Sequence, residues 1–417
     1  ASLAGLTWET LVERSGVPRA DIDRAIALLC AARRGILCWA MGLTHHAHGV
    51  DNVLALANLA LARGWLGRPG VGLLPIRGHS NVQGVGSCGV TPALKKAFAA
   101  RLEERYGIRA PAAPGHDTYA SMTAAAEGRI RAAVLLGGNL FASNPDRAWA
   151  GAALRRIPVT VALTTKLNEG HVHGRGRTAI VLPVLARDEE REATSQESMF
   201  NHVRLSEGGR PAIAGEMRSE VDVIAALAER ILPPGRFDWS ALRSHRELRA
   251  AIAATVPGFA AMERLDDTRA EFTIEGRIFA EPRFATADGR ARFHPTPLPE
   301  FAPAADELRL MTVRSEGQFN TVVYEEEDVY RGNRRRDVVM LAAADAARLG
   351  IAEGDRVVVE TAAGRMAVRA AIVDIRAGSI AMYYPEANAL VPRRLDPRSR
   401  TPAFKSVAAR VSRAPAS

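Results

Sequence analysis

Apolar positions along the chain follow two styles, and the change between them comes near residue 300. From 35 to 184, short apolar runs of strand length alternate with helical segments. "GILCWAMGL" (35–43) leads through "THHAHG" into "DNVLALANLALARG", where Asp51 is placed to cap a helix that ends at Gly64. That helix is apolar on nearly every side, which predicts burial on both faces. "RAAVLLGG" (131–138), "PVTVALTT" (158–165) and "TAIVLPV" (178–184) read as buried strands, with a helix over "DRAWAGAALRRI" between the first two. Strand, loop, helix, strand is the order of a parallel, doubly wound α/β sheet. Ligands of such sheets gather at the carboxyl ends of the strands, where "GGNLFASNPD" and "TTKLNEGHVHGRG" lie.

Beyond residue 233 the pattern loosens into a helix over "SALRSHRELRAAIAATV" and a proline-rich linker, "FATADGRARFHPTPLPEFAPAADE". From 307 the strands are short and separated by glycine turns: "LRLMTVRS", "DVVML", "DRVVVETAAGRMAVRAAIVDI" and "GSIAMYY", with one short helix at "AADAARLG". This is an all-β barrel pattern. The sequence shows no internal repeat and no low-complexity segment.

Composition narrows the classes. A chain of 417 residues has room for two or three domains, and 47% hydrophobic with 24% charged residues is globular rather than disordered. The net charge of +9 suits an anionic ligand and suits an arginine-rich surface equally. Nucleic acid calls for a basic stripe interleaved with aromatics, and only 6% of residues are aromatic. The densest basic run, "RGNRRR" (331–336), follows the acidic "EEED" (325–328), so the pair reads as a solvated, charge-balanced loop. Cys30, Cys38 and Cys88 form no CxxC pattern, which excludes a disulfide scaffold and favours a reducing, cytoplasmic setting. No apolar run approaches the length of about 20 residues that a membrane helix needs. The opening "ASLAGLTWETLVERSG" lacks the features of a signal peptide.

Three loops carry candidate chemistry. "LLPIRGHSNVQG" (73–84) crowds polar donors at one chain reversal. "GGN" (137–139) follows a strand and precedes a helix, so its backbone can approach a phosphate closely. In "THHAHG", His45, His46 and His48 match no zinc spacing and read as donors to an anionic ligand, as do His171 and His173. No nucleophile motif and no metal-ligand set is present. These residues describe a nucleotide-type site on an α/β sheet plus a barrel, without a reaction.

Several strings together resemble one family. "MGLTHHAHGVDNVLALANLALARGWLGRPGVGLLPIRGHSNVQG", "LLGGNLFASNPD", "TTKLNEGHVHGRGRTAIVLPVLARDEE" and "ESMFNHVRLSEGG" look like the second half of the formate dehydrogenase-like molybdopterin oxidoreductases. "MTVRSEGQFNTVVYEEEDVYRG", "LGIAEGDRVVV" and "MYYPEANALVPRRLDPRSRTPAFKSV" continue the likeness, which keeps its order from about residue 10 onwards. Within the family, the "RGHSNVQG" loop is most similar to the branch called oxidoreductase alpha, molybdopterin subunit.

The resemblance implies two parallel, doubly wound α/β cofactor domains followed by a C-terminal double-psi β-barrel. Residues 1–80 would end one α/β domain, 81–300 would form a second with an irregular extension, and 301–417 would be the barrel cap. It implies a bis(molybdopterin guanine dinucleotide) cofactor holding molybdenum or tungsten. Arg77 matches the arginine assigned to a formate carboxylate, and His79 stands where formate enzymes often have glutamine, a departure that turns attention from formate itself to other small anions. Gly138, Asn139, Thr165, Lys166 and Asn168 match one nucleotide site; Arg314, Gln318, Phe319, Asn320 and Thr321 match a loop that reaches the pterins; Asn388 and Lys405 match later contacts. The family's [4Fe-4S] cysteines and metal-ligating residue are expected in an N-terminal part that precedes this stretch. The expected partners are therefore that N-terminal half or subunit, a small anionic substrate such as formate, and an electron-transfer protein, with neither nucleic acid nor a membrane span. A second reading is a non-catalytic dinucleotide-binding fragment or subunit that works only with a separate N-terminal chain.

Overall fold

The computed structural model describes residues 5–415 except 214, 278 and 302. The chain forms two compact units, one from Ala1–Ile76, Ile278–Arg314 and Glu326–Ser417, the other from Arg77–Arg277 and Ser315–Glu325.

The first unit opens with helices Trp8–Ser15 and Arg19–Ala31, followed by strand β1 (Ile36–Trp39), helix Gly49–Arg63 and strand β2 (Gly72–Pro75), which pairs parallel to β1. Helix Gly49–Arg63 begins two residues before the expected cap. His48 takes the cap position, and Asp51 lies in the first turn, where its carboxylate suits the helix dipole and pairs with Arg398. Gly64 ends the helix as expected, at φ 60°. The expected burial on both faces fails, since only Gly49 and Ala60 are buried. The reason is geometric: a two-stranded sheet offers too narrow a face to cover the helix.

In the second unit β3 (Ala132–Leu136), β4 (Val159–Thr164) and β5 (Thr178–Pro183) form the expected parallel sheet in the order β3-β4-β5. Only the central strand β4 is largely buried. Val134 and Leu136 on β3 and Ile180 and Val181 on β5 are exposed, which corrects the reading of all three as buried. Helices Thr118–Ala126 and Arg147–Arg155 build a core with Phe141 and Ile157, and only the face bearing Ala133 packs into it. An antiparallel sheet follows, β6 (Thr194–Glu197), β7 (His202–Ser206) and β8 (Phe272–Thr273), on a core that includes Phe98, Val203, Phe259 and Leu265.

The barrel returns to the first unit with β9 (Leu308–Val313), β10 (Val338–Leu341), β11 (Arg356–Thr361), β12 (Gly364–Ile372), β13 (Ser379–Tyr383) and β14 (Val407–Arg413), closed in the order β10-β12-β11-β14-β9-β13. Exchanging the first three strands for the last three leaves the pairing unchanged. The parallel pair β9 with β13 maps onto β12 with β10, and the antiparallel pair β11 with β12 maps onto β14 with β9. This two-fold pattern of a double-psi barrel is a repeat of topology that no repeat of sequence announces. Leu310, Val339, Leu341, Val357, Val359 and Ile380 are fully buried in its core.

The charged run at 325–336 is largely exposed, as its composition predicts, but Asp328 and Arg336 depart from that reading. Arg336 is 4% exposed; its Nε donates to Glu386 at 2.7 Å and its Nη2 to the Tyr384 carbonyl at 2.7 Å. Asp328 is buried and accepts from the Tyr383 hydroxyl at 2.9 Å and from Arg331 at 2.5 Å. These two charges are spent inside, while Glu325, Glu326, Glu327, Arg334 and Arg335 stay exposed, so the buried pairings are hidden within a run that is otherwise solvated. The proline-rich stretch is likewise tied down: His294 exchanges two hydrogen bonds with Asn58, and Arg14 donates to the carbonyls of Leu298 and Pro299.

Candidate functional site

Each unit collects part of the expected site. In the second unit, the chain reversal at 77–84 is fixed from behind. Asn81, in the left-handed region at φ 61°, accepts the Glu197 backbone N–H at 3.0 Å. Gly84 is buried against it, and a Cβ there would stand 2.0 Å from Asn81 Oδ1, so only glycine admits this contact. Glu197 is buried; its Oε1 accepts from Arg277 at 2.6 Å, and Arg277 also donates to Ser87 Oγ at 3.0 Å. Burial, then the charge of Glu197, pushes the neighbouring Cys88 thiol up to about 11, despite the opposing charge of Arg277. In front of this support, Arg77 is exposed and its backbone N–H reaches Met199 Sδ at 3.3 Å. His79 meets Phe319 edge to face with centroids 4.7 Å apart, so the expected catalytic and pterin-loop residues touch here. Gln318 braces that segment, accepting from Ser315 N at 3.1 Å and donating to the Asn320 carbonyl at 2.7 Å; Thr321 is buried and Asn320 has φ 53°.

The second cluster of this unit stands at the carboxyl ends of β3 and β4. Gly137 and Gly138 both have positive φ, 63° and 71°, with open space where a Cβ would point. Asn139 is buried and caps helix Leu140–Ser143 through Ala142 N at 3.0 Å. Asn168 donates to the Gly138 carbonyl at 3.0 Å, which joins the two loops, while Thr165 and Lys166 are exposed beside it. His171 lies in the same loop with Nδ1 accepting the Asn168 N–H at 3.0 Å, so that nitrogen serves the loop itself, and burial lowers its pKa.

In the first unit Arg314 directly follows β9. Its guanidinium lies 5.0 Å from the centre of the Tyr384 ring. Lys405 hydrogen-bonds the Thr312 carbonyl through Nζ, and its backbone N–H donates to the His45 carbonyl at 3.0 Å. Burial, then Arg314, lowers the Lys405 ammonium to about 8; burial, then Lys405 and Arg314, lowers His45 to about 4. Three cationic or cation-forming groups are thus held together against their mutual repulsion. His45 was named as an anion donor from the crowding of histidines in "THHAHG", without its link to Lys405 and Arg314; Tyr384 was missed, with no signal in the sequence to find it. Asn388 is wholly buried in the turn Glu386–Leu390. Within the second unit the open left-handed turn at Gly138 suits close approach by a phosphate, and within the first unit the group of Arg314, Lys405 and His45 suits an anion.

Comparison with known proteins defines the class. Residues 308–408, the barrel, match the family described as the molydopterin dinucleotide binding domain. The match covers the barrel alone, and along nearly its whole length the chain is similar to proteins named as oxidoreductases. An uncharacterized oxidoreductase of Mycobacterium tuberculosis is 36% identical over 97% of this chain and 54% of its own length. Protein YdeP of Escherichia coli is 34% identical over 96% of this chain and 55% of its own. A Staphylococcus aureus protein assigned as a formate dehydrogenase is 26% identical over 64% of this chain and 27% of its own. The chain therefore spans about half the length of the first two, consistent with the C-terminal portion of such an oxidoreductase. Among solved structures, acetylene hydratase from Pelobacter acetylenicus shares the fold at TM-score 0.52 and 18% identity, over 76% of this chain and 50% of that one. Among the described residues no helix is long and apolar enough to cross a membrane.

Proposed function

We propose that this chain is the cofactor-holding C-terminal portion of a molybdopterin guanine dinucleotide-dependent oxidoreductase, formate dehydrogenase-like, acting on a small anionic substrate. The observation that carries the reading is the convergence of Arg314, Lys405 and His45 at the end of β9, in the domain that matches the molydopterin dinucleotide binding family. In this reading Lys405 and Arg314 hold anionic parts of one dinucleotide, and Gly138, Asn139, Thr165, Lys166 and Asn168 hold the nucleotide end of another. The metal, molybdenum or tungsten, supplies the two-electron chemistry when bound. The exposed, planar fork of Arg77 suits a carboxylate taken bidentately. His79, held edge-on by Phe319, accepts a proton or orients the substrate beside it. In this reading the iron–sulfur relays and the protein ligand to the metal are supplied by further polypeptide, so the isolated chain binds but does not turn over.

Co-expression with a polypeptide equivalent to that stretch, followed by metal and guanine nucleotide analysis and formate-dependent dye reduction, tests this. A complex with molybdenum or tungsten, guanine nucleotide and dye reduction is the expected result. Cofactor without formate activity keeps the cofactor role and removes formate as substrate. A soluble complex with neither metal nor guanine nucleotide overturns the reading.

A further inference from the structure

In the second unit a cleft of about 320 Å³ opens between the last turn of helix Lys96–Tyr106 and one face of helix His245–Thr255. It shares no residue with the reversal at 77–84 or with the loops after β3 and β4. One wall is aromatic. The Tyr106 and Phe237 ring centroids lie 4.3 Å apart and Phe237 continues to Trp239 at 4.8 Å, which seats residues 237–239 on the end of the first helix. The other wall is the alanine face of the second helix, Ala250, Ala251 and Ala254, whose single methyl groups leave the space open. Arg105 and Arg236 come to the same helix end: Gly107 closes that helix at φ 69°, and Arg236 Cδ lies 4.0 Å from where a Cβ on the glycine would stand. Glu247, in the first turn of the second helix, and Glu263, in the turn Ala260–Arg264, bring two carboxylates to the cleft. Among the described residues these four side chains make no ion pair and no hydrogen bond. Asp238, also in the lining, is turned to its own chain, where Oδ1 accepts from Ser240 N at 3.0 Å and from Ser240 Oγ at 2.6 Å. Beside the cleft the arginines are neutralised: Arg243 by Asp222 at 3.4 Å, Arg246 by Asp267 at 2.5 Å and Arg249 by Asp266 at 2.8 Å. A surface that pairs its charges outside a cleft, and inside it leaves two cations and two anions unneutralised, is complementary to a ligand that carries both charges.

We propose that this cleft binds a small zwitterion with an apolar side chain, of the size of a free amino acid, its carboxylate on Arg105 and Arg236 and its ammonium on Glu247 and Glu263. Guanidinium groups suit a carboxylate in charge and in geometry. The alanine face and the Tyr106–Phe237 pair take the apolar part. The walls belong to separate helices, so occupancy ties them together and stabilises the folded state. The proposal goes beyond the oxidoreductase reading and does not require it.

Calorimetric titration of the full chain with L-phenylalanine, and with 3-phenylpropanoate and phenethylamine, which keep one charge each, tests it. The expected result is one saturable site for L-phenylalanine, with each single-charge analogue bound about tenfold more weakly. The unfolding temperature should rise with L-phenylalanine concentration. R105Q/R236Q should bring L-phenylalanine down to the affinity of phenethylamine, and E247Q/E263Q should bring it down to that of 3-phenylpropanoate. All four positions are exposed, and thermal unfolding verifies that each variant is folded. A254F, also at an exposed position, fills the cleft without touching a charge; it should abolish binding and carries the test if a charge variant fails to fold. No saturable binding of L-phenylalanine, equal affinity for it and both analogues, or binding that survives A254F and both charge variants unchanged, overturns the proposal.

Discussion

At Lys405 an ammonium is held in place against both burial and the charge of Arg314, and at His45, joined to it through the backbone, an imidazole is held neutral for the same reasons. Each group binds fewer protons folded than unfolded, so stability rises with pH across the interval between its two values. For His45 that interval runs from about 4 to 6.5, and for Lys405 from about 8 to 10.5. Each shift corresponds to at most about 3.4 kcal/mol, and less because both side chains are only half-buried and solvent screens them. Urea denaturation of the unloaded chain at pH 7.5 and 9.5 should therefore show higher stability at the alkaline value. In K405M that gain should disappear; an equal gain in K405M would assign it to another group. Likewise H45N should lose less stability than the parent between pH 6.5 and 4.5. A third residue has a plainer role. Asn139 is buried as the cap of helix Leu140–Ser143, and N139A should cost about 1–2 kcal/mol in urea denaturation while leaving the far-ultraviolet dichroism unchanged.

The reversal 77–84 and strand β6 behave as one element because Asn81 bonds the Glu197 backbone while the Glu197 side chain takes Arg277. Removing one member of a buried pair leaves the other charge uncompensated, so E197A should lose about 3–5 kcal/mol. E197Q, which keeps an acceptor oxygen, should lose less. Cys88 reports on the same element. Cys30 and Cys38 are exposed, whereas Cys88 is partly buried with its thiol raised to about 11. Brief alkylation at pH 8, read by mass spectrometry, should label Cys30 and Cys38 and spare Cys88; all three should be labelled in urea. Rapid labelling of Cys88 in the folded chain would show that the support behind Arg77 is open. Elements were legible in the sequence wherever a local rule decided them. The turn at Gly64, the strands with their parallel order, and the loops after β3 and β4 followed from periodicity and glycine placement. The buried Arg336 and Asp328 were hidden because alternating charge looks the same on a solvated loop and in a network closed by Tyr383 and Glu386 from about fifty residues away. Glu197 and Arg277 were invisible for the same reason, since only folding brings them together.

Across the whole molecule, burial is unevenly shared, and stability should follow it. The barrel encloses a core in which Leu310, Val339, Leu341 and Ile380 are fully buried, and its strands close on themselves without an edge. Helix Arg19–Ala31 is longer than any barrel strand, yet it has no buried residue, and Ile26 and Leu28 are 41% and 68% exposed. The β1–β2 pair beside it has only two strands, too few for independent stability. Local opening depends on the apolar contacts that oppose it rather than on the length of an element. Hydrogen exchange followed by mass spectrometry should therefore find peptides from 308–313, 338–341 and 379–383 exchanging only by global unfolding, with rates that fall or rise together when denaturant changes. Peptides from 19–31 should exchange orders of magnitude faster and with little denaturant dependence, because their opening exposes little new surface. The sheet β3-β4-β5 should fall between, its central strand slow and the edge strand β5, with Ile180 and Val181 exposed, faster. Equal protection of residues 19–31 and the barrel strands would mean that those apolar side chains are covered in solution, and would redirect the search to what covers them.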